Sequence, residues 1–562
     1  MIVLDGHSLT IEQLAEIARD PGVQVARDPA TNARIDAAEA LIARAVANYR
    51  SALERGEEPP TEYGVTTGFG EFKDKRVAPA DLEQLQRNLL LSHSAGIADG
   101  ELFDAEVVRG ALLTRLNAFL RGNSGVRRTM VDVVEAMLNR GIVPHVPVRG
   151  SVGASGDLAP LAHTFATLLG VGKFTIAGQP GIHEAGELPR FLGVDAETMK
   201  PTFKEGLALI NGVNYSASML ALAVHDAERL AELADAAAAL TLEALCGCTR
   251  ALDPKVHEAR GQLGQIRSAA RMRELLEGSR LAERAGAVQD PYSIRCAPQV
   301  HGATRDAIGY ARAIAEREIN AATDNPLFFP EDGEPWDLRF RGNWPPSYRA
   351  DHRLAYSAGN FHGQPIAIAA DLLSIAVAEL ANISERRTQM LLDGNHNRRL
   401  PQNLTTRPGV NSGLMIAQYS AASVVSENKV LAHPASVDSI PTAANAEDHV
   451  SMSTTAARKM RTIVRNVENV LAIELFVVAQ ALDWRIGMAI DPFGPRAPLS
   501  MEEVEAQARA FEGVKPADVA AGIAPALRPY YLAVRDAAPP VTRDRPLSDD
   551  IRAVNAGMRR KP

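Results

Sequence analysis

Apolar side chains return every three to four positions over long stretches of this chain, and polar residues fill the places between them. The clearest stretch covers residues 214–246. It is rich in Ala, Leu and Glu and carries neither Pro nor Gly, so it predicts one unbroken helix. Similar runs cover 305–321, 365–389, 411–433 and 449–482. Several exceed an ordinary globular helix, and long antiparallel helices packed as a bundle account for them. Helical periodicity also covers 81–121 and 126–140, and Thr10-x-x-Gln13 has the form of a capping box ahead of a first helix. The pattern breaks into Gly-rich loop at 61–70 and 141–156. A short strand pair is expected near 173–181. Beyond Asp491 the chain is richer in Pro and charge and reads as a smaller helical appendage. The expected fold class is therefore all-α: a long antiparallel helical bundle with a smaller N-terminal, loop-rich active-site region. The expected division is 1–210 with the loops, 211–490 with the long helices, and 491–562 as the appendage.

Composition narrows the partners. Aromatic residues make up only 5% of the 562, which supports few strands. A formal net charge of -8 weighs against nucleic acid or an anionic membrane as the main partner. The most apolar runs hold charges such as Asp371 and Glu379, so buried helices are expected rather than membrane spans. The only cysteines are Cys246, Cys248 and Cys296. Cys246-x-Cys248 is too tight for the usual zinc spacing, so no metal is expected, and three thiols suit a reducing compartment. The N-terminus lacks a basic segment followed by a long apolar one. A cytoplasmic enzyme is expected.

Polar loops between apolar helices are where chemistry tends to sit. The second loop reads Gly150-Ser151-Val152-Gly153-Ala154-Ser155-Gly156-Asp157. On composition alone it is a Gly-rich loop with Asp157 capping the next helix. The full string, through His163, resembles the cofactor loop of the histidine and phenylalanine/tyrosine ammonia-lyase family. The resemblance implies that Ala154, Ser155 and Gly156 cyclise into 4-methylidene-imidazole-5-one. The residue types suit that chemistry. Gly156 offers its amide nitrogen with least hindrance, Ser155 can lose its side-chain oxygen to leave an alkene, and Ala154 keeps the site small.

Other strings follow the same family in order, from about Tyr63 to about Thr455. Tyr63, in Tyr63-Gly-Val-Thr-Thr-Gly-Phe-Gly70, resembles the family's base, which would take the β-proton. Asn211 resembles the asparagine that hydrogen-bonds the cofactor carbonyl. In the segment 289–299, Arg295 would grip the substrate carboxylate with its fork of donors, with Gln289 and Tyr292 lining the same site. Asn325 and Phe361 fall in family-like strings with supporting roles. The resemblance also implies a homotetramer whose active sites take residues from more than one subunit.

Two positions speak to the substrate side chain. His93, in Ser92-His93, and Glu447, in Glu447-Asp-His-Val-Ser-Met452, match the family's histidine-type strings. An imidazole has two nitrogens that want partners, and a phenyl ring would leave a buried carboxylate unpaired. The reading favoured is elimination of ammonia from L-histidine to give urocanate. Thr66, Val213 and the 398–405 segment depart from the histidine type. They keep open a tyrosine or phenylalanine ammonia-lyase, or an aromatic amino acid α,β-aminomutase, on the same cofactor.

Overall fold

A computed structural model describes residues 1–59, 61–330, 355–493 and 500–560. The chain is predominantly α-helical, and its few strands form two small sheets. It divides into two compact units. One combines 1–225, 311–371 and 434–458, and the other 226–310, 372–433 and 459–562.

Five of the periodic runs each form one helix: Asn214–Ala244, Ala297–Glu318, Gln364–Leu392, Met415–Leu431 and Ser453–Leu482. Thr10 caps Ile11–Arg19 through a complete capping box with Gln13. The run at 81–121 is not one helix. Leu82–His93 and Ala105–Phe119 are separated by a segment whose backbone turns away at Gly100 (φ 96°). Ile97 and Phe103 there donate to the carbonyls of Arg149 and Val146 at 2.8 and 2.9 Å. Backbone pairing with a distant loop thus replaces the helical ladder. The strand expected near 173 is Lys173–Ile176. It pairs antiparallel with Ile142–Pro144 on one side and His183–Glu184 on the other.

In the first unit the apolar stripe 364–371 tolerates Asp371 because the carboxylate accepts from the backbone N–H of Ala435 and Ser436, both at 2.7 Å. In the second unit a buried polar chain ties its helices together. His301 Nδ1 meets Asp235 at 2.7 Å, and Arg305 reaches the same carboxylate at 2.6 Å. Arg387 grips Glu474 at 2.5 and 2.8 Å, while Thr241 donates to Glu474 at 3.0 Å. The 29-residue helix Gln364–Leu392 is long and apolar enough to cross a membrane by length and composition, but 67% of its most apolar window is buried in the fold.

Candidate active site

The loop 150–157 is built by glycines and by hydrogen bonds from distant parts of the first unit. Gly153 and Gly156 take positive φ, 67° and 77°. A Cβ on Gly153 would collide with the hydroxyls of Ser451 and Ser453, and one on Gly156 with the backbone of Gly212. Residues 155–157 pair with Gly212 as a short parallel bridge: Gly212 N–H donates to the Ser155 carbonyl at 3.2 Å, and Asp157 N–H donates to the Gly212 carbonyl at 2.7 Å. The segment 451–454 laces the other side. Met452 N–H donates to the Val152 carbonyl at 2.9 Å, Ser451 Oγ to the Gly153 carbonyl at 3.0 Å, and Thr454 Oγ1 to Ser151 Oγ at 3.0 Å.

Asp157 does not cap the helix Leu158–Ala166 with its side chain. Its fully buried carboxylate accepts instead from Ser216 N–H and Oγ at 2.8 and 2.6 Å and from Thr454 Oγ1 at 2.7 Å. Burial pushes its pKa up in spite of these donors. Asp157 therefore anchors the loop to two long helices, a role its position beside a helix start does not announce.

Ser155 Oγ, half-buried, donates to Glu447 Oε1 at 2.8 Å, and Thr442 Oγ1 donates to Glu447 Oε2 at 2.6 Å. The Glu447 carboxylate also acts electrostatically on both Tyr63 and His93, so the four side chains share one locality. Tyr63 packs edge-on to Phe69, with ring centroids 6.5 Å apart, and its hydroxyl accepts from Gly70 N–H at 3.2 Å. Burial pushes the Tyr63 phenol above its ordinary value. The Gly70 donor opposes that shift, and Glu447 adds to it. His93 ends the helix Leu82–His93, and its Nδ1 lies 3.0 Å from Ser92 Oγ. Burial pulls this imidazole below its usual value, while the Leu89 carbonyl and Glu447 resist. A neutral His93 can donate from one ring nitrogen and accept at the other.

Asn211 follows the short helix Glu205–Ile210 and is 4% exposed. Its Oδ1 has no hydrogen-bond partner among the described residues. Asn325, 6% exposed, accepts through Oδ1 from Ala358 N–H at 2.7 Å, and Phe361 is half-buried. All of these belong to the first unit.

Gln289, Tyr292 and Arg295 belong to the second. Tyr292–Arg295 forms a single helical turn, with the Arg295 guanidinium 4.7 Å from the Tyr292 ring centroid. The ring is 71% exposed, Gln289 is exposed, and the Arg295 Nε is buried without a partner. The described residues contain no group of three or more metal-ligating side chains. All three cysteines are free.

Sequence reasoning missed two buried connectors. Gln86 donates to the Gly64 carbonyl at 3.0 Å and accepts from Leu207 N–H at 3.1 Å, so it ties the Tyr63 loop to the helix that leads into Asn211. Arg115 is the second, and it holds the Asn211 backbone. Gln86 sits on the buried face of Leu82–His93, and Arg115 in Ala105–Phe119, which is buried at every position from Val107 on; nothing local in the sequence separates either from a surface residue.

Residues 9–506 match the family model described as aromatic amino acid lyase. Histidine ammonia-lyase of Caldanaerobacter subterraneus subsp. tengcongensis is 47% identical over 488 residues, covering 86% of this chain and 89% of that protein. Among solved structures, histidine ammonia-lyase from Trypanosoma cruzi aligns with a TM-score of 0.80 at 36% identity, covering 100% of this chain and 93% of the other. Tyrosine aminomutase from Streptomyces globisporus aligns at 0.81 with 32% identity, covering 100% and 97%. The chain belongs to the aromatic amino acid ammonia-lyase and aminomutase family. It is a lyase of that class, and membership implies a cofactor of the methylidene-imidazolone type and a small aromatic amino acid as substrate.

Proposed function

We propose that this protein is a histidine ammonia-lyase that converts L-histidine to urocanate and ammonia on an electrophile formed from Ala154, Ser155 and Gly156. The contact that carries the reading is Ser155 Oγ to Glu447 Oε1, 2.8 Å, with Tyr63 and His93 in the field of the same carboxylate.

The residues present fit the cofactor. Gly156 has no space for a Cβ, and its positive φ bends the loop as a ring closure onto Ala154 requires. The buried Asn211 amide retains an unused oxygen. When formed, the methylidene-imidazolone supplies the strong electrophile for the substrate amine that protein side chains lack. The chain's own residues do the rest. Arg295, with Tyr292 and Gln289 beside it, holds the substrate carboxylate by paired hydrogen bonds and so fixes the α-carbon. Tyr63 takes the β-proton. His93 and Glu447 give the two imidazole nitrogens their partners, and Asn211, Asn325 and Phe361 complete the pocket. A phenyl substrate would offer the Glu447 carboxylate no donor and leave it the Thr442 hydroxyl alone, which disfavours it. The active assembly is a homotetramer with sites drawn from more than one subunit. Free thiols are consistent with a reducing, cytoplasmic setting.

The alternative is an aminomutase or a phenylalanine or tyrosine lyase, and the similarity to tyrosine aminomutase favours keeping it. The test supplies purified protein with His, Tyr and Phe separately and identifies products by mass and near-UV absorbance. Urocanate from His supports the proposal. Cinnamate-type or β-amino products with His inert overturn it.

A further inference from the structure

Arg115 lies in the helix Ala105–Phe119 and is completely buried. A buried guanidinium is usually paired with a carboxylate, yet no salt bridge reaches this one among the described residues. Its hydrogen-bond partners are neutral. Nη1 donates to the Ala208 carbonyl at 2.9 Å, and Nη2 donates to the Asn211 carbonyl at 2.7 Å and to Asn214 Oδ1. Asp324 and Asp157 stand near enough to favour the cation, but both are engaged elsewhere: Asp324 with Lys204 at 2.5 Å, Asp157 with Ser216 and Thr454. Burial brings the Arg115 pKa down to about 10, so it is charged at neutral pH. The guanidinium also presses on Gly212. That residue has φ 140°, and a Cβ there would overlap Nη2.

The bonds run in series. Arg115 Nη2–H points at the Asn211 carbonyl, and the far end of that same peptide, Gly212 N–H, points at the Ser155 carbonyl oxygen. A cation at one end of a peptide polarises it and makes its N–H a stronger donor. We infer that Arg115 is a positioning residue for the electrophile. It acts through the Asn211–Gly212 peptide to hold the Ser155 carbonyl and stabilise negative charge drawn onto that oxygen. The inference rests on the proposed cyclisation of residues 154–156. It explains why the chain keeps an unpaired buried charge here: the carbonyls of Ala208 and Asn211, left over at the end of a helix, neutralise it only partly. One of its three bonds leads through the Asn211–Gly212 peptide to the Ser155 carbonyl oxygen.

The experiment compares wild type with Arg115→Met and Arg115→Lys as full-length purified proteins. Intact mass gives the fraction of chains that have lost two waters, thermal melting reports folding, and kcat is expressed per matured chain alongside KM. Wild type that keeps both waters while active overturns the cyclisation itself, and so separates that failure from a failure of the Arg115 role. With wild type matured, Arg115→Met is expected to mature less completely and to lose about 100-fold in kcat, the scale of one oxyanion donor, with KM moving less than about threefold. Arg115→Lys keeps the charge but not the fork, and is expected to recover about tenfold of that loss. The near-UV band of the matured cofactor is expected to shift in both variants. Folded variants with wild-type kcat per matured chain and an unmoved band overturn the role, whatever their melting temperature. If Arg115→Met does not fold, the Lys variant decides alone: about tenfold lower kcat with a displaced band supports the role, and wild-type values for both overturn it.

Discussion

Under the proposed function, Glu447 is the residue on which substrate preference and base strength meet. One oxygen holds Ser155 Oγ, the other holds Thr442 Oγ1, and its charge reaches Tyr63 and His93. A nearby carboxylate disfavours tyrosinate, so Glu447→Gln removes an upward push on the Tyr63 pKa. If Tyr63 works as the base, the rising limb of kcat/KM against pH moves to lower pH in this variant. A limb that stays or moves upward counts against the assignment. On the proposed pocket, histidine turnover is expected to fall in the same variant, because one imidazole nitrogen would lose its ionic partner. Ser155→Ala is expected to retain both waters by intact mass and to lose nearly all activity. The family was legible in the sequence, because Tyr63, Ser155 and Arg295 sit in strings whose order and spacing are distinctive, and the roles proposed for them rest on those strings. The residues that position them were not. Gln86, Arg115 and Asp157 work through partners brought near by folding, and a single sequence contains no record of which Ser or backbone amide will arrive.

The elements carry charge in ways that periodicity alone does not describe. Glu318 closes the helix Ala297–Glu318, and burial raises its carboxyl pKa to about 7. A carboxylate at a helix C-terminus also faces the negative end of the dipole. The folded chain therefore holds this proton more tightly than the unfolded one, and stability falls as pH rises from the unfolded value toward 7. Glu318→Gln is expected to raise the melting temperature at pH 8 and leave it unchanged near pH 4. An equal gain at both would rule out titration as the cause. In the second unit, Arg387 and Glu474 are both fully buried. Arg387→Met strands the carboxylate and is expected to cost about 3–5 kcal/mol in urea unfolding, most of it regained in Arg387→Met/Glu474→Leu. Helix existence was legible in the runs beginning near 214, 365 and 449, whereas the 24-residue helix Thr31–Glu54 went unread although its buried positions recur every three to four residues. The run at 81–121 misled because Ile97 and Leu102 keep the apolar rhythm, although both are exposed and the backbone between them bonds to another loop.

At the scale of the whole molecule, two long helices carry exposed apolar side chains within one turn of each other. Leu372 and Ile375 lie on Gln364–Leu392, and Ile416 and Tyr419 on Met415–Leu431. The proposed tetramer would cover such faces. Tyr419→Lys is expected to shift the light-scattering mass toward smaller species, and an unchanged mass would remove this helix from the interface. The proposed sharing of sites has a stricter consequence. Co-expressed Tyr63→Phe and Arg295→Ala chains are expected to regain activity well above either parent, because some sites in a mixed assembly receive an intact set. Such rescue was not readable from the pattern of helices, which is the same whether a site is finished within one chain or by its neighbours.

The bridge between residues 155–157 and Gly212, with the lacing from 451–454, also bears on when the electrophile can arise. These partners leave the ribosome long after Ser155 does. On the proposed cyclisation, a nascent or truncated chain is harmless: it holds an ordinary serine, with nothing for the thiols and amines of the cell to attack. The reactive group would appear only once the chain is nearly complete and closed around it. The same timing makes the warhead irreplaceable, since a ring spoiled by a stray nucleophile cannot be exchanged as a dissociable coenzyme can. Each polypeptide would then carry a single charge of reactivity for its lifetime, and renewal would require synthesis of a new one.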